Sequence, residues 1–255
     1  MLTLTNKKTG YGYPLFSHPL GRVLKFDHFY NYFQNLPSGG RLLDYGSGDR
    51  PYEKMLRTKF DEYIAADYPV TNQGHSKKPD IEIHDDKVDI PSNSIDCIVL
   101  TEVIEHIYEP RLVLKELHRV LKPGGQLIGT VPFVMPEHEH PYDYHRYTSF
   151  CLEKMFQEAG FRITKLDYIG DSIAVFISAM TRFLGLIPKT LRRLKLGWIA
   201  LFFSFISKIP EFLYYYAWKS GWNFQKTLYL KNLPLGFGFC LEKKADEAET
   251  PLSKV

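Results

Sequence analysis

The sequence predicts an α/β fold: a doubly wound, mainly parallel sheet of seven strands with a helical insertion before the last strand. Three observations carry the prediction. Short apolar runs alternate with helical patterns over residues 41–168, the rhythm of strands and crossover helices in a parallel sheet. One run, Ile95 to Leu100, is apolar except for Asp96, as in a strand buried on both faces. The stretch Arg41 to Glu53, RLLDYGSGDRPYE, opens an apolar strand into a Gly-x-Gly turn just after an acid, where a ligand can approach the backbone closely.

The elements follow in order. Residues 1–20 are irregular, and Arg22 to Leu36 carries Val23, Phe26, Phe29, Tyr30 and Phe33 at helical spacing before Pro37 to Gly40 stop it. The first strand begins at Leu42. Pro51 to Phe60 reads as the next helix, with Pro51 in its first turn. Tyr63 to Ala66 is a second strand and Ile81 with Ile83 a weaker third. Pro110 to Leu121 is an amphipathic helix burying Leu112, Val113, Leu117, Val120 and Leu121, ended by the KPGG of Lys122 to Gly125. Gln126 to Val131 is the fifth strand. A helix capped by Thr148 or Ser149 runs to Ala159, Phe161 to Tyr168 is a strand, and Leu235 to Leu241 is the last. The expected division is 1–171 as cap and core, 172–222 as insertion, 223–244 returning to the core, and 245–255 as a disordered tail.

With 255 residues and 44% hydrophobic content, the chain suffices for one elaborated domain. A net charge of +3 without a dense basic run argues against nucleic acid as partner. Cys97, Cys151 and Cys240 lie far apart with no Cys-x-x-Cys pair, which reads as buried thiols in a reducing compartment, neither a disulfide framework nor a zinc site. The opening MLTLTNKKTGYGYP lacks the pattern of a signal peptide. A cytoplasmic protein is expected, with the inner membrane surface as a secondary location.

Ligands of doubly wound sheets bind at the carboxyl ends of the strands. Asp44, Gly46, Gly48, Asp67, Asp86, Thr101 and Glu102 fall at or just past such ends. Gly48 and Asp67 have about the separation found between nucleotide-binding glycines and the acid that holds a ribose. A pyrophosphate cofactor wants a third glycine, yet Asp49, Arg50 and Pro51 follow Gly48. Asp49 and Asp44 repel phosphate and suit a zwitterionic or cationic ligand, which disfavours an NAD-dependent oxidoreductase or epimerase.

These motifs resemble those of class I S-adenosylmethionine-dependent methyltransferases of the type 11 group. The resemblance covers about Arg41 to Tyr168: LLDYGSG for the first motif, AADY for the ribose acid, DDKVDIPSNSIDCIVLTEVIEHI for the adenine loop and fourth strand, and RVLKPGGQLIGTVPF for the helix, turn and fifth strand. It implies the Rossmann-like methyltransferase fold and S-adenosyl-L-methionine as cofactor. It further implies a cofactor site of Asp44, Tyr45, Gly46, Gly48, Asp67, Tyr68, Asp86, Thr101 and Glu102, with Asp67 on the ribose, Tyr68 beside the adenine and Asp86, or its neighbour Asp85, near the adenine amino group. Ser47 stands where the family often has Cys, and Asp49-Arg50-Pro51 where its glycine pattern often continues. Glu105 and His106 belong to the family's Glu-His signature and read first as a polar pair holding the loop.

Glu137 to Thr148, EHEHPYDYHRYT, follows the fifth strand and is too rich in ionisable groups for a simple linker. Similar proteins, often associated with cell-surface glycan assembly, carry a pattern matched by His138, Pro141, Asp143, Tyr144, Arg146, Tyr147 and Thr148. The catalytic candidates are His138, His140, Asp143, Tyr144 and Arg146. His138 is the first choice of base for a hydroxyl acceptor and His140 the second; Asp143 orients the imidazole, and Arg146 binds an anionic group or pairs with an acid. The alternative is a loop latched by Arg146 and Asp143. A metal held by His138, His140 and His145 with Glu137 or Asp143 is weighed and set aside, because the spacing is atypical.

Trp198 to Trp218 is apolar and aromatic, but Lys208, Pro210 and Glu211 interrupt it, so two helices broken at Pro210 are expected in place of a membrane span. With Arg192, Arg193 and Lys195 the insertion reads as a lid or membrane-facing patch, or as a segment packed on the domain or on a second subunit of a homodimer. The expected activity is methyl transfer to a small-molecule or glycan hydroxyl, lipid-linked in one version; a non-catalytic S-adenosylmethionine binder is the rival.

Overall fold

The structure, a computed structural model, describes residues 19–69, 77–222 and 233–244. The polar tail expected from Ala245 and all of the expected irregular start except Pro19 and Leu20 lie outside the described residues, and Leu20 already begins a helix. Helix α1 spans Leu20–Asn35, and the five apolar residues of its predicted stripe are all buried.

Strand β1, Arg41–Tyr45, pairs in parallel with β2, Glu62–Asp67, and with β4, Ile95–Thr101; Leu42 lies opposite Tyr63 on one side and Cys97 on the other. Strand β3, Ile81–Glu82, extends β2, and β5, Leu121–Pro132, extends β4, both in parallel. With β6, Phe161–Ile169, and β7, Gly236–Lys243, the seven-stranded order is β3-β2-β1-β4-β5-β7-β6. The chain steps outward from β1 through β2 to β3, then returns to place β4 on the opposite side of β1. That reversal opens a crevice at the carboxyl ends of β1 and β4.

Several boundaries differ from expectation for identifiable reasons. Helix α2 is Glu53–Leu56, shorter than Pro51 to Phe60: Arg50, at φ 55°, closes a turn onto the Ser47 carbonyl at 2.8 Å before it, and after Leu56 the chain tightens into turns, the Thr58 and Lys59 amides donating to the Met55 and Leu56 carbonyls at 3.1 and 3.0 Å. Helix α3, Pro110–Val120, buries Val113, Leu117 and Val120, while Leu112 is exposed off that stripe. Strand β5 starts at Leu121: Ile95 faces Leu121 and Cys97 faces Gln126, so Lys122 to Gly125 bulge from the ladder. Lys122 there grips both oxygens of Asp96, at 2.7 and 2.8 Å. Helix α4, Ser149–Glu158, is capped by Thr148, whose hydroxyl accepts from the Cys151 amide. Of the three cysteines expected to be buried, only Cys97 is.

Residues 172–222 form four helices: α5 Ser172–Leu184, α6 Leu186–Arg193, α7 Gly197–Ile206 and α8 Ile209–Lys219. The break expected at Pro210 falls at Ser207 and Lys208, and Pro210 lies in the first turn of α8, where its missing N–H costs nothing.

The chain divides into two compact units. Among the described residues, one comprises 32–69, 77–131, 137–166 and 239–244; Leu42, Leu43, Ile98, Leu127, Phe156 and Phe239 are among its fully covered side chains. The other comprises residues 19–31, 132–136, 167–222 and 233–238. Its core gathers Leu20, Val23 and Leu24 of α1 with Ile169, Ala174, Tyr214 and Leu235, and the Tyr215 hydroxyl donates to Asp27 at 2.9 Å.

Gly129 marks the tightest packing in the sheet. A Cβ there would lie 2.0 Å from the Leu100 carbonyl oxygen and 2.6 Å from the Phe239 ring. Because the carbonyl belongs to the neighbouring strand, Gly129→Ala should cost roughly 2–4 kcal/mol. Denaturant titration showing an unchanged midpoint would contradict this packing.

Candidate functional site

The crevice begins at the glycine turn. Gly46 has φ 71°, and a Cβ on it would lie 2.5 Å from a Val103 methyl, so the turn and the β4 loop meet where only hydrogen fits. The amides of Gly46 and Ser47 both donate to the Ala66 carbonyl, at 2.9 and 3.1 Å. Asp67 completes the tie: one oxygen accepts from the Gly48 amide at 2.7 Å and the other from the Tyr68 amide at 2.8 Å. Its carboxylate therefore spans the end of β2 and the turn after β1.

Asp44 is buried, and the Tyr63 hydroxyl donates to it at 2.6 Å. Burial pushes its carboxyl up to about 6, against the lowering effect of Tyr63 and with help from the charge of Asp67. The Tyr68 hydroxyl donates to Asp86 at 2.8 Å and lies 3.2 Å from the Tyr45 hydroxyl; burial raises both phenols. Asp85 is exposed, whereas Asp86 is half-buried and held. Thr101 pairs with Thr130 across the ladder, and the Thr130 hydroxyl donates to Glu102 at 2.9 Å.

Asp85, Asp86 and Glu102 have φ of 49°, 60° and 56°. Left-handed backbone is costly for such side chains and gathers at functional sites. The Ser47 hydroxyl is buried without a hydrogen-bond partner among the described residues, an atom that a ligand's polar group can satisfy. A tight glycine cradle, an unsatisfied Ser47 hydroxyl and four acids at adjacent strand ends thus fit a polar, cationic ligand bearing vicinal hydroxyls.

The second half of the site is the loop after β5, pinned onto the single 3-10 turn Ile104–His106 that follows β4. The amides of Tyr144 and His145 donate to the Glu105 carbonyl, and the Tyr147 hydroxyl donates to that of Ile104 at 2.9 Å. Within the loop, Arg146 grips Asp143 with both terminal nitrogens, at 2.6 and 2.7 Å. This guanidinium holds the Asp143 carboxyl well below the usual carboxylate range. Asp143 also accepts from the His138 amide at 2.9 Å and lies 3.1 Å from His138 Nδ1. A carboxylate only accepts, so Nδ1 carries the hydrogen and the neutral ring keeps its lone pair on Nε2.

His106 repeats this arrangement. Its Nδ1 lies 3.0 Å from the Tyr142 carbonyl, and its buried Nε2 lies 3.4 Å from Glu139 and 3.7 Å from Glu105. The rings of His106 and His138 meet edge to face at 4.7 Å. One ligand-type atom from each of Glu105, His106 and His138 lies within 4.8 Å of the others. With its Nδ1 hydrogen turned to a carbonyl, His106 aims a lone pair at two acids, and an electropositive group between them relieves the repulsion.

The structure thus joins His138, Asp143 and Arg146, with Arg146 a positioning group also acted on by the charges of Glu105 and Glu102. His140 is exposed, and Tyr144 packs edge to face on Tyr108 at 5.4 Å. From sequence, Glu105 and His106 are placed first as a loop-holding pair, ahead of a direct catalytic role, and Tyr63, Thr130 and Val103 are not singled out. The clue was the Glu-His pair itself, one turn past the end of β4. Of the metal-ligand set weighed from sequence, only His138 belongs to the cluster the structure draws together.

Residues 21–166 match a protein family described as a methyltransferase domain. A "Methyltransferase" of Claviceps purpurea is 30% identical over 109 residues, 39% of this chain and 34% of that protein. A "Demethylmenaquinone methyltransferase" of Clavibacter sepedonicus is 27% identical over 182 residues, 64% of this chain and 72% of that one. The chain thus spans about a third of the first relative's length and more of the second. A putative sarcosine dimethylglycine methyltransferase of Galdieria sulphuraria shares the fold, with a TM-score of 0.53 and 15% identity over 88% of this chain and 86% of that one. The [4+2]-cyclase SpnF does so with a TM-score of 0.53 and 17% identity over 88% and 82%.

The Arg146 grip has a consequence for acid stability. A carboxyl depressed on folding adds stability that is complete above its unfolded value of about 4 and is lost as pH falls toward the folded value. Arg146→Met should cost about 1.5–3 kcal/mol at pH 7, the worth of hydrogen bonds to a charged group, and flatten the decline between pH 5 and pH 3. Urea titrations across that range check both; a variant with the parent's acid profile would separate Asp143 from the effect.

Proposed function

The chain belongs to the S-adenosylmethionine-dependent methyltransferases, and from that premise we propose that it methylates a hydroxyl of a small-molecule or glycan acceptor with His138 as general base. The single observation that carries this reading is the His138–Asp143 contact at 3.1 Å, which aims a basic Nε2 from the loop after β5. S-adenosylmethionine supplies an electrophilic methyl on a sulfonium. The chain's own part is alignment, water exclusion and proton removal. Asp67 would hold the ribose hydroxyls and Asp86 the adenine edge, with Gly46 and Gly48 against the methionine portion.

His138 would take the acceptor proton at Nε2 while Asp143 stabilises the imidazolium, as an orienting carboxylate does in other hydroxyl-activating sites. Arg146 keeps Asp143 ionised and in place. A carbohydrate acceptor, lipid-linked or free, a cytoplasmic setting and a homodimer belong to the same proposal. Its rivals are a non-catalytic binder of the cofactor and an NAD-dependent enzyme. Calorimetry tests the second, since binding of NAD in preference to S-adenosylhomocysteine would overturn the donor assignment; the first is excluded by transfer of a labelled methyl group to an acceptor.

A second reading rests on the Glu105, His106 and His138 cluster. A divalent cation held there would polarise the acceptor hydroxyl directly, with His138 as ligand in place of base. The outward Nδ1 bonds of both imidazoles are the support that metal-ligating histidines use.

His138→Ala should lower turnover by about two to four orders of magnitude with S-adenosylhomocysteine affinity intact, whereas Asp67→Ala should weaken that affinity. A fully active His138→Ala enzyme would remove the base. The two readings part on chelation: under the first, dialysis against EDTA leaves turnover unchanged. Under the second, turnover falls, returns with added divalent cation, and metal content by mass spectrometry drops in His106→Ala.

A further inference from the structure

Helix α7 carries its large side chains on the outside. Trp198, Leu201, Phe202 and Phe205 recur at i, i+3, i+4 and i+7, one helical face, and are 78, 71, 60 and 58% exposed, while Ala200 is the buried residue of the helix. A helix that packs on its own domain turns such a stripe inward. Every residue from Arg192 to Trp198 is exposed, so basic and apolar side chains interleave across the turn from α6 to α7. Arg192 bridges the turn, its guanidinium 3.3 Å from the Ser204 hydroxyl.

Charge points the same way. From Ser172 to Pro210 the sequence has no Asp or Glu but six Lys or Arg, although the whole chain holds 29 acids. Among the described residues no ion pair engages Lys189, Arg193 or Lys195.

Residues 172–193 are long and apolar enough to cross a bilayer by length and composition, but packing argues against that. Ala174, Ser178 and Thr181 of α5 are buried, and Ala174 belongs to the core shared with α1 and α8. Helices α6 and α7, of eight and ten residues, fall short of the roughly 20 needed to span.

We propose that the α6–α7 hairpin lies in the surface of an anionic lipid bilayer, with Trp198, Leu201, Phe202 and Phe205 at the headgroup boundary and Arg192, Arg193 and Lys195 on anionic headgroups. This goes beyond methyl transfer and does not rest on it, since the hairpin is remote in sequence from every residue assigned to the donor.

Flotation of the full chain with vesicles tests it. Vesicles of phosphatidylcholine with about a third phosphatidylglycerol should carry the protein upward and pure phosphatidylcholine far less, with added salt weakening the difference. Arg192→Gln/Arg193→Gln/Lys195→Gln should reduce partitioning by about 100-fold, near fivefold per cation, and Trp198→Ser should also reduce it. S-adenosylhomocysteine affinity equal to the parent's confirms that these variants fold. Protein that stays down with both vesicle types, or binds both equally, overturns the proposal. So does a concentration-dependent dimer that Trp198→Ser abolishes, which would make the face a subunit interface.

Discussion

The carboxylate of Asp67 is the joint on which the donor half of the site depends. Parallel strands deliver the turn after β1 and the end of β2 to the same edge of the sheet, but pairing alone does not fix the loop beyond them. Asp67 does so by accepting from the amides of Gly48 and Tyr68 together. Charged acceptors make stronger bonds than neutral ones, and this one is mostly buried. The glycine turn, Tyr68 and, through its hydroxyl, Asp86 are therefore held in a single chain of contacts.

The loop after β5 shows the same economy. Twelve residues crowded with ionisable groups would be floppy if each were solvated separately. Their backbone is instead stitched to the Ile104–His106 turn, and Asp143 collects Arg146 and both nitrogens of His138 that face it. The imidazole is oriented before any acceptor arrives, so less ordering remains to be done on binding. The similarity to both a methyltransferase and a cyclase of the same fold shows why the chemistry has to be argued from such side chains and not from the sheet.

What the sequence disclosed and what it hid divide along locality. DYGSG and AADY were legible because strand, turn and acid are neighbours in the chain, and the stripe of α1 because a helix reports its own period. The bulge at Lys122 to Gly125 was hidden because the register it interrupts, and the Asp96 that Lys122 grips there, belong to the neighbouring strand. Helix α2 starts late because Arg50 adopts a left-handed backbone that its side chain does not advertise. His106 was undervalued for the same reason: its meaning depends on His138, which only the folded loop brings to it. Leu112 illustrates the converse, an apolar residue counted into a stripe from which the helical angle excludes it.

The position of β7 bears on how the chain is made. It lies between β5 and β6 in the sheet, although residues 170–235 separate it from β6 in the chain. During synthesis β6 leaves the ribosome with no neighbour to pair with and waits while the whole helical segment is translated. Phe156, which packs on Phe239 at 4.8 Å between ring centres, waits with it. Until that strand arrives the nascent sheet ends at β5 with an unprotected edge, the condition in which chains stick to one another. The apolar helices are thus produced before the sheet is complete, when exposed apolar surface is most prone to association.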